Sequence, residues 1–229
     1  MRKMKPEDVR EDFDKALDDV IAFYKTVKAA LTKDSDETLL VQNTILTAAT
    51  LWESFVNDMF IAYINRDSTR FQDHLQDAFK ASRTPKQDVI AENFVTVAFP
   101  KHLTVDLITD LIDQRGENIT FFDYGALKKG AAKYLIEDHR TGIDGLSNAR
   151  KATLSLWIAL RNEIAHNSER SFNAMNEAMN AGGLHNTGLQ RGVNNVKHVG
   201  AYLKSKPTPN SKPRIELILD EMKAIAALI

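Results

Sequence analysis

Cysteine is absent from this 229-residue sequence, so disulfide staples and thiolate metal sites are excluded, and the composition fits a reducing compartment. No apolar run approaches the ~20 residues that a membrane-crossing helix needs. The basic start, Met1 to Pro6, leads into acidic helical sequence rather than a hydrophobic leader. A soluble cytoplasmic protein with no membrane attachment is therefore expected. An excess of one charge is lacking too: 30 Lys and Arg face 31 Asp and Glu, a formal net charge of −1. A protein that coats polyanions indiscriminately is thereby excluded, and any nucleic-acid contact must come from a local patch. Strand-like alternation, internal repeats, a glycine-rich phosphate loop and a nucleophile elbow are all missing.

What is present is helical periodicity, with 43% hydrophobic residues, enough to bury one core across residues 1–229 without requiring a second. Pro6-Glu-Asp opens a first helix, along which Val9, Phe13, Ala16, Leu17, Val20, Phe23, Tyr24, Val27 and Leu31 form an unbroken stripe. Asp34-Ser-Asp-Glu37 starts a second helix, predicted over 34–65. Shorter helices are predicted over 68–81, 85–98, 104–114 and 123–139, the last ending in the charged, solvated run Glu137-Asp-His-Arg140. A further long helix begins near 144–147 and ends at 166–168. Residues 173–185, rich in Asn, Met, Ala and Gly, read as a mobile stretch broken at Gly182-Gly183. A helix over 187–204 would turn Leu189, Val193, Val196, Val199 and Leu203 inward. After the stiff connector around Pro207, Pro209 and Pro213, an apolar last helix from about Ser211 either closes the core or offers a partner surface.

The chemistry concentrates at one helix end, Trp157-Ile-Ala-Leu-Arg161-Asn162-Glu163-Ile-Ala-His166-Asn167. Arg161 stands in the row of Leu154, Trp157 and Ile158, where an apolar residue is expected. A permanently charged guanidinium there needs an acidic partner, a wet cleft or an anionic ligand. Asn162 and His166, four residues apart, share a face, while Arg161 lies to one side. Glu53 breaks the apolar row of Leu46, Ala49, Val56 and Phe60 on the second helix, and it is expected to pair with Arg161 or a neighbour of it, leaving donors for a phosphate. A histidine at a helix end has a plainer use as well, capping the last carbonyls or meeting the negative end of the dipole. His74, His102, His139, His185 and His198 show no metal-ligand spacing, so no metal and no other cofactor is expected.

Arg161-Asn-Glu-Ile-Ala-His166 resembles the Arg-x4–6-His signature of the HEPN superfamily, with a polar residue directly after the arginine. Leu51-Trp-Glu-Ser-Phe55 resembles the Trp-Glu-x-Phe segment of its stand-alone prokaryotic groups. The resemblance implies an all-α, HEPN-like antiparallel bundle, with 66–142 a helical insertion between the second core helix and the motif helix, and 205–229 a C-terminal helix after the Pro-rich connector. It also implies a metal-independent ribonuclease of the toxin–antitoxin or phage-defence kind, acting on RNA as a homodimer and restrained by an antitoxin protein. Arg161 and His166 would be catalytic with Asn162 orienting phosphate or imidazole, and Glu53 and Asn167 would support them. An imidazole, with an ordinary pKa near ~6.5, exchanges protons at neutral pH, but internal attack by a 2′-hydroxyl needs both a base and an acid. One motif histidine per chain therefore favours a dimer. Two other classes remain open: a non-catalytic module that binds RNA, a nucleotide or a protein, and a helical adaptor whose last helix is the interface.

Overall fold

The computed structural model describes residues 4–82, 84–95, 98–112, 118–191 and 195–229. Among them, eleven α-helices and no strands are found. The helices are α1 (Pro6–Ala30), α2 (Asp34–Arg66), α3 (Thr69–Ala81), α4 (Pro85–Phe94), α5 (Val105–Ile112), α6 (Tyr124–Tyr134), α7 (Glu137–Asp144), α8 (Asn148–His166), α9 (Glu169–Met179), α10 (Val199–Lys204) and α11 (Arg214–Ala226). A 3₁₀ turn spans Gly182–Leu184.

The axis of the bundle is α2. Its apolar residues are not confined to one stripe, and Val41, Ile45, Ala48, Trp52, Phe55, Phe60 and Ile64 are all buried, as expected for a helix packed on several sides. On one side α1 folds back along it, burying Val9, Phe13, Leu17 and Tyr24. Phe23 points the other way and is 65% exposed, so the expected unbroken stripe omits it. On another side α8 crosses α2 through an edge-to-face contact of Trp52 with Trp157, whose ring centroids lie 5.0 Å apart at 74°. Phe13 and Phe55 complete this aromatic cluster, with their centroids 4.5 Å apart. Phe71, Leu103, Ile108, Leu127 and Ile143, all between α2 and α8, bury into the same core. Polar groups of α2 anchor the connecting loops: Asn65 donates to the Leu103 carbonyl at 2.8 Å, and Asn57 accepts from the Ile119 N–H at 3.1 Å. The last helix, α11, buries Ile215, Ile218, Leu219, Met222 and Ile225 against α1, α2 and α8, so its apolar face closes the core and is not held out for a partner.

Several elements differ from the sequence reading. The helix expected over 123–139 breaks at Leu135 and Ile136, whose backbones are extended. Leu135 is buried there, and the acidic pair Glu137-Asp138 begins α7, where the helix dipole favours it, instead of ending a helix. Gly142 fits because a Cβ would fall 1.8 Å from the Leu228 carbonyl oxygen. The helix expected over 85–98 stops at Phe94, with Val95 extended, and the one expected over 104–114 is seen over Val105–Ile112, its last residues lying outside the described ones. The stretch read as mobile, 173–185, is mostly α9. Burial of Met175 and Met179 outweighs the poor helix propensity of its asparagines.

Of the helix expected over 187–204, the described residues show α10 alone. Upstream of it, Gly188 takes φ 78°, the Arg191 N–H donates to the Met179 carbonyl, and Asn176 accepts from the Val196 N–H at 2.7 Å, so long-range partners satisfy these two N–H groups without a helix. Leu189 and Val196 are nevertheless buried, while Val193 and Asn194 lie outside the described residues. Finally, α11 starts at Arg214 after Pro213, three residues later than expected.

His139, expected in a solvated terminus, instead stacks on Tyr63 with ring centroids 4.7 Å apart. Burial lowers its pKa below the usual histidine value, with opposing help from Asp67. A histidine held neutral in the fold binds fewer protons than the unfolded chain in the window below ~6.5, so its stability contribution is present above that pH and is lost as pH falls towards the lowered pKa. His74, also lowered by burial, acts in the same direction. Melting temperature is therefore expected to drop between about pH 7.5 and 5.5. His139→Phe, which keeps an aromatic stack, should flatten that drop in melts recorded across this range.

Candidate functional site

The motif helix α8 begins at Ser147, whose side chain caps the Arg150 N–H, and buries Leu154, Leu156, Trp157 and Leu160 along its length. Its end is built by two residues. Asn167 takes the left-handed conformation (φ 45°, ψ 48°), which asparagine tolerates better than other side chains, and its N–H closes on the Glu163 carbonyl at 2.9 Å. Glu163 is buried, and its carboxylate accepts a 2.6 Å hydrogen bond from Ser171 in the first turn of α9. Ser168 and Ser171 exchange hydrogen bonds in a reciprocal cap. The sharp α8–α9 reversal is thus held by polar contacts that present the helix tip to solvent. Sequence reasoning did not single out Glu163 and Ser171. The available signal was that Glu163 follows Leu156 and Leu160 in the buried row.

Arg161 and Glu53 are brought together: Nη2 lies 3.2 Å from Oε2, with the side chains 28% and 23% exposed. Nη1 donates to the Asn162 carboxamide oxygen at 3.0 Å. Among the described residues, two of the guanidinium's five N–H donors are thereby used, and the rest remain for a ligand. Asn162 thus contacts the guanidinium, and its side chain makes no other hydrogen bond among the described residues. A narrow crevice walled by Trp52, Val56, Phe121, Leu154 and Ile158 opens beside Glu53.

His166 is the last residue of α8 and is exposed. Among the described residues it forms no hydrogen bond, ion pair or ring contact, so its nitrogens are not spent on helix-end carbonyls. Around an ideal helix, Asn162 and His166 stand ~40° apart and Arg161 and His166 ~140° apart. Within one chain, the cation and the imidazole therefore flank the helix tip instead of converging on one point. No group of three His, Asp or Glu side chains in metal-binding arrangement occurs among the described residues, and none of the described helices is long and apolar enough to cross a membrane.

A strand-free helical bundle with Arg-x4-His at an exposed helix end, backed by a Trp-Glu pair on the central helix, defines a HEPN-type module, a class of nuclease or RNA-related function. The chain belongs to the RiboL-PSP-HEPN family, whose model matches residues 11–181, about three quarters of its length. No curated protein and no solved structure matches it.

Proposed function

We propose that the protein is a metal-independent endoribonuclease of the toxin or phage-defence kind, in which Arg161 and His166 act on an RNA phosphodiester at a cleft shared by two copies of the chain. The observation that carries this reading is the helix tip itself, where an unpartnered, exposed imidazole stands one face away from a guanidinium fixed by Glu53 and Asn162. In the reaction, a base takes the proton of the ribose 2′-hydroxyl as its oxygen attacks the adjacent phosphorus. The P–O5′ bond breaks, and an acid returns a proton to the departing 5′-oxygen. Arg161 offsets the charge that builds on the non-bridging oxygens. One imidazole cannot stand as base and acid on opposite sides of one phosphorus at the same moment, so a two-fold dimer would supply the second. The ~140° offset between Arg161 and His166 fits such sharing, because a neighbouring copy can bring its cation to this imidazole. An antitoxin would restrain the activity in the host.

The test is incubation of purified protein with RNA in the presence of chelator, followed by end-group analysis. The expected products carry 2′,3′-cyclic phosphate and 5′-hydroxyl ends, and 3′-hydroxyl with 5′-phosphate ends would refute the mechanism. The same offset also suits a non-catalytic module that grips RNA or a nucleotide with separate contacts. Such a protein would bind RNA and leave it intact.

Glu53 enters as a positioning residue. Because the ion pair is partly exposed, Glu53→Gln is expected to change stability by no more than ~1 kcal/mol. Freed from its anchor, however, the guanidinium should lose alignment, lowering cleavage by about tenfold, the equivalent of ~1.4 kcal/mol in the barrier. Melting curves and initial rates on the same preparation check both halves, and an unchanged rate would remove Glu53 from the site.

A further inference from the structure

Arg214, the first residue of α11, is 7% exposed. Its Nη1 donates to the Ser205 hydroxyl at 2.6 Å, its guanidinium carbon lies 5.1 Å from the centre of the Tyr202 ring, and its Nε has no partner. Arg161, Arg66, Arg140 and Arg150 each face a carboxylate, whereas among the described residues no carboxylate lies within ion-pair distance of Arg214. A buried cation without a counter-charge is costly, and burial together with nearby Arg191 pulls the Arg214 pKa down. Tyr202 does not serve as the missing anion, because burial raises its pKa well above the usual phenol value and its hydroxyl donates to the Leu189 carbonyl at 2.6 Å.

Tyr202 and Ser205, the two residues against which Arg214 rests, also line a surface pocket of about 260 Å³. The other polar lining residues are Arg191, Asn195, Lys197 and His198, and no Asp or Glu is among them. Arg191 and Lys197 are exposed, and neither forms an ion pair among the described residues. In a chain of net charge −1, Arg191 and Lys197 thus line one concavity that has no carboxylate in its lining, and the buried charge of Arg214 lies behind two of the lining residues. Arg191, Asn195, Lys197 and His198 carry N–H donors that suit phosphate oxygens, while the Tyr202 and Ser205 hydroxyls already donate to backbone carbonyls.

We propose that this pocket is a second binding site, specific for a phosphate monoester, in which Arg191, Lys197 and His198 grip the oxygens and the buried charge of Arg214 lies behind Tyr202 and Ser205. A monoester carries about −1.5 to −2 charges at neutral pH and offsets this cluster better than the single charge of a phosphodiester. The site falls beyond residue 181, outside the region that matches the family model, and it does not depend on cleavage at the α8 tip.

The test is calorimetric titration of the full chain with inorganic phosphate, AMP and adenosine at fixed ionic strength. Phosphate and AMP should bind and adenosine should not. Arg191→Ala/Lys197→Ala, which alters only exposed side chains, should weaken AMP at least tenfold, while Arg161→Ala should bind AMP like wild type. Arg214→Met, if it stays folded, should weaken AMP as well. A decaribonucleotide with a 5′-phosphate, compared with its 5′-hydroxyl counterpart, separates the sources. Tighter binding than AMP identifies a strand end as the ligand, and equal or weaker binding identifies a free nucleotide. Failure of wild type to bind phosphate or AMP, equal binding of adenosine, or undiminished AMP affinity in the double variant would each overturn the site.

Discussion

His166→Ala is expected to slow RNA cleavage by ~10²- to 10⁴-fold, the range that a positioned general acid or base contributes, while leaving RNA affinity and melting temperature nearly unchanged. Stability should hold because the imidazole is exposed and no contact within the described chain is lost with it. Arg161→Ala should behave differently. It removes a phosphate contact as well as charge stabilisation, so binding and cleavage should fall together, with cleavage down ~10²- to 10³-fold. It also leaves the Glu53 carboxylate without its ion-pair partner beside an apolar crevice. Arg161→Lys should rescue little, because an ammonium cannot span Glu53, Asn162 and a phosphate with one planar fork. Rates and affinities measured separately for the three variants check this pattern. Full cleavage by folded His166→Ala would remove the catalytic assignment.

The largest effect on stability is expected from Trp157→Ala. Trp157 is fully buried and carries the contact between α8 and α2. Truncating a core Trp costs ~3–5 kcal/mol, and at ~2–4 °C per kcal/mol for a chain of this size the melting temperature should fall by ~6–20 °C. Trp157→Phe should lose less, since the indole N–H has no hydrogen-bond partner to forfeit. Because the same contact sets the spacing between Arg161 on α8 and Glu53 on α2, activity should decline well below the melting transition in the Ala variant. Thermal melts by circular dichroism, with cleavage rates taken at low temperature, separate the two effects.

Legibility from the sequence followed how local the determinants are. The three helices that frame the site, α1, α2 and α8, could be read because each carries an extended apolar pattern with start signals such as Pro6 or Asp34-x-x-Glu37. Arg161 and Glu53 were visible as charges inside apolar rows, and their 3.2 Å contact follows from the same logic. The misreadings arose where a distant partner decides the backbone. Asn176, twenty residues away, accepts from the Val196 N–H, which the expected helix would have bonded to its own preceding turn. Leu135 buries itself by interrupting a helix. Arg214 is illegible for a related reason: it looks like an ordinary surface charge until Ser205 and Tyr202 are folded onto it, whereas Glu163 shows only its place in a buried row and not its partner Ser171.

The claim on which the rest depends is that the tip of α8 meets RNA through His166. The imidazole C–H resonances of the six histidines, assigned with His166→Ala, can be followed by NMR during titration with a 2′-O-methylated oligonucleotide that cannot undergo internal attack. The His166 signals are expected to shift and saturate with the bound fraction, ahead of those of His139, which is partly buried against Tyr63. Saturable binding that leaves the His166 signals unmoved would contradict the account.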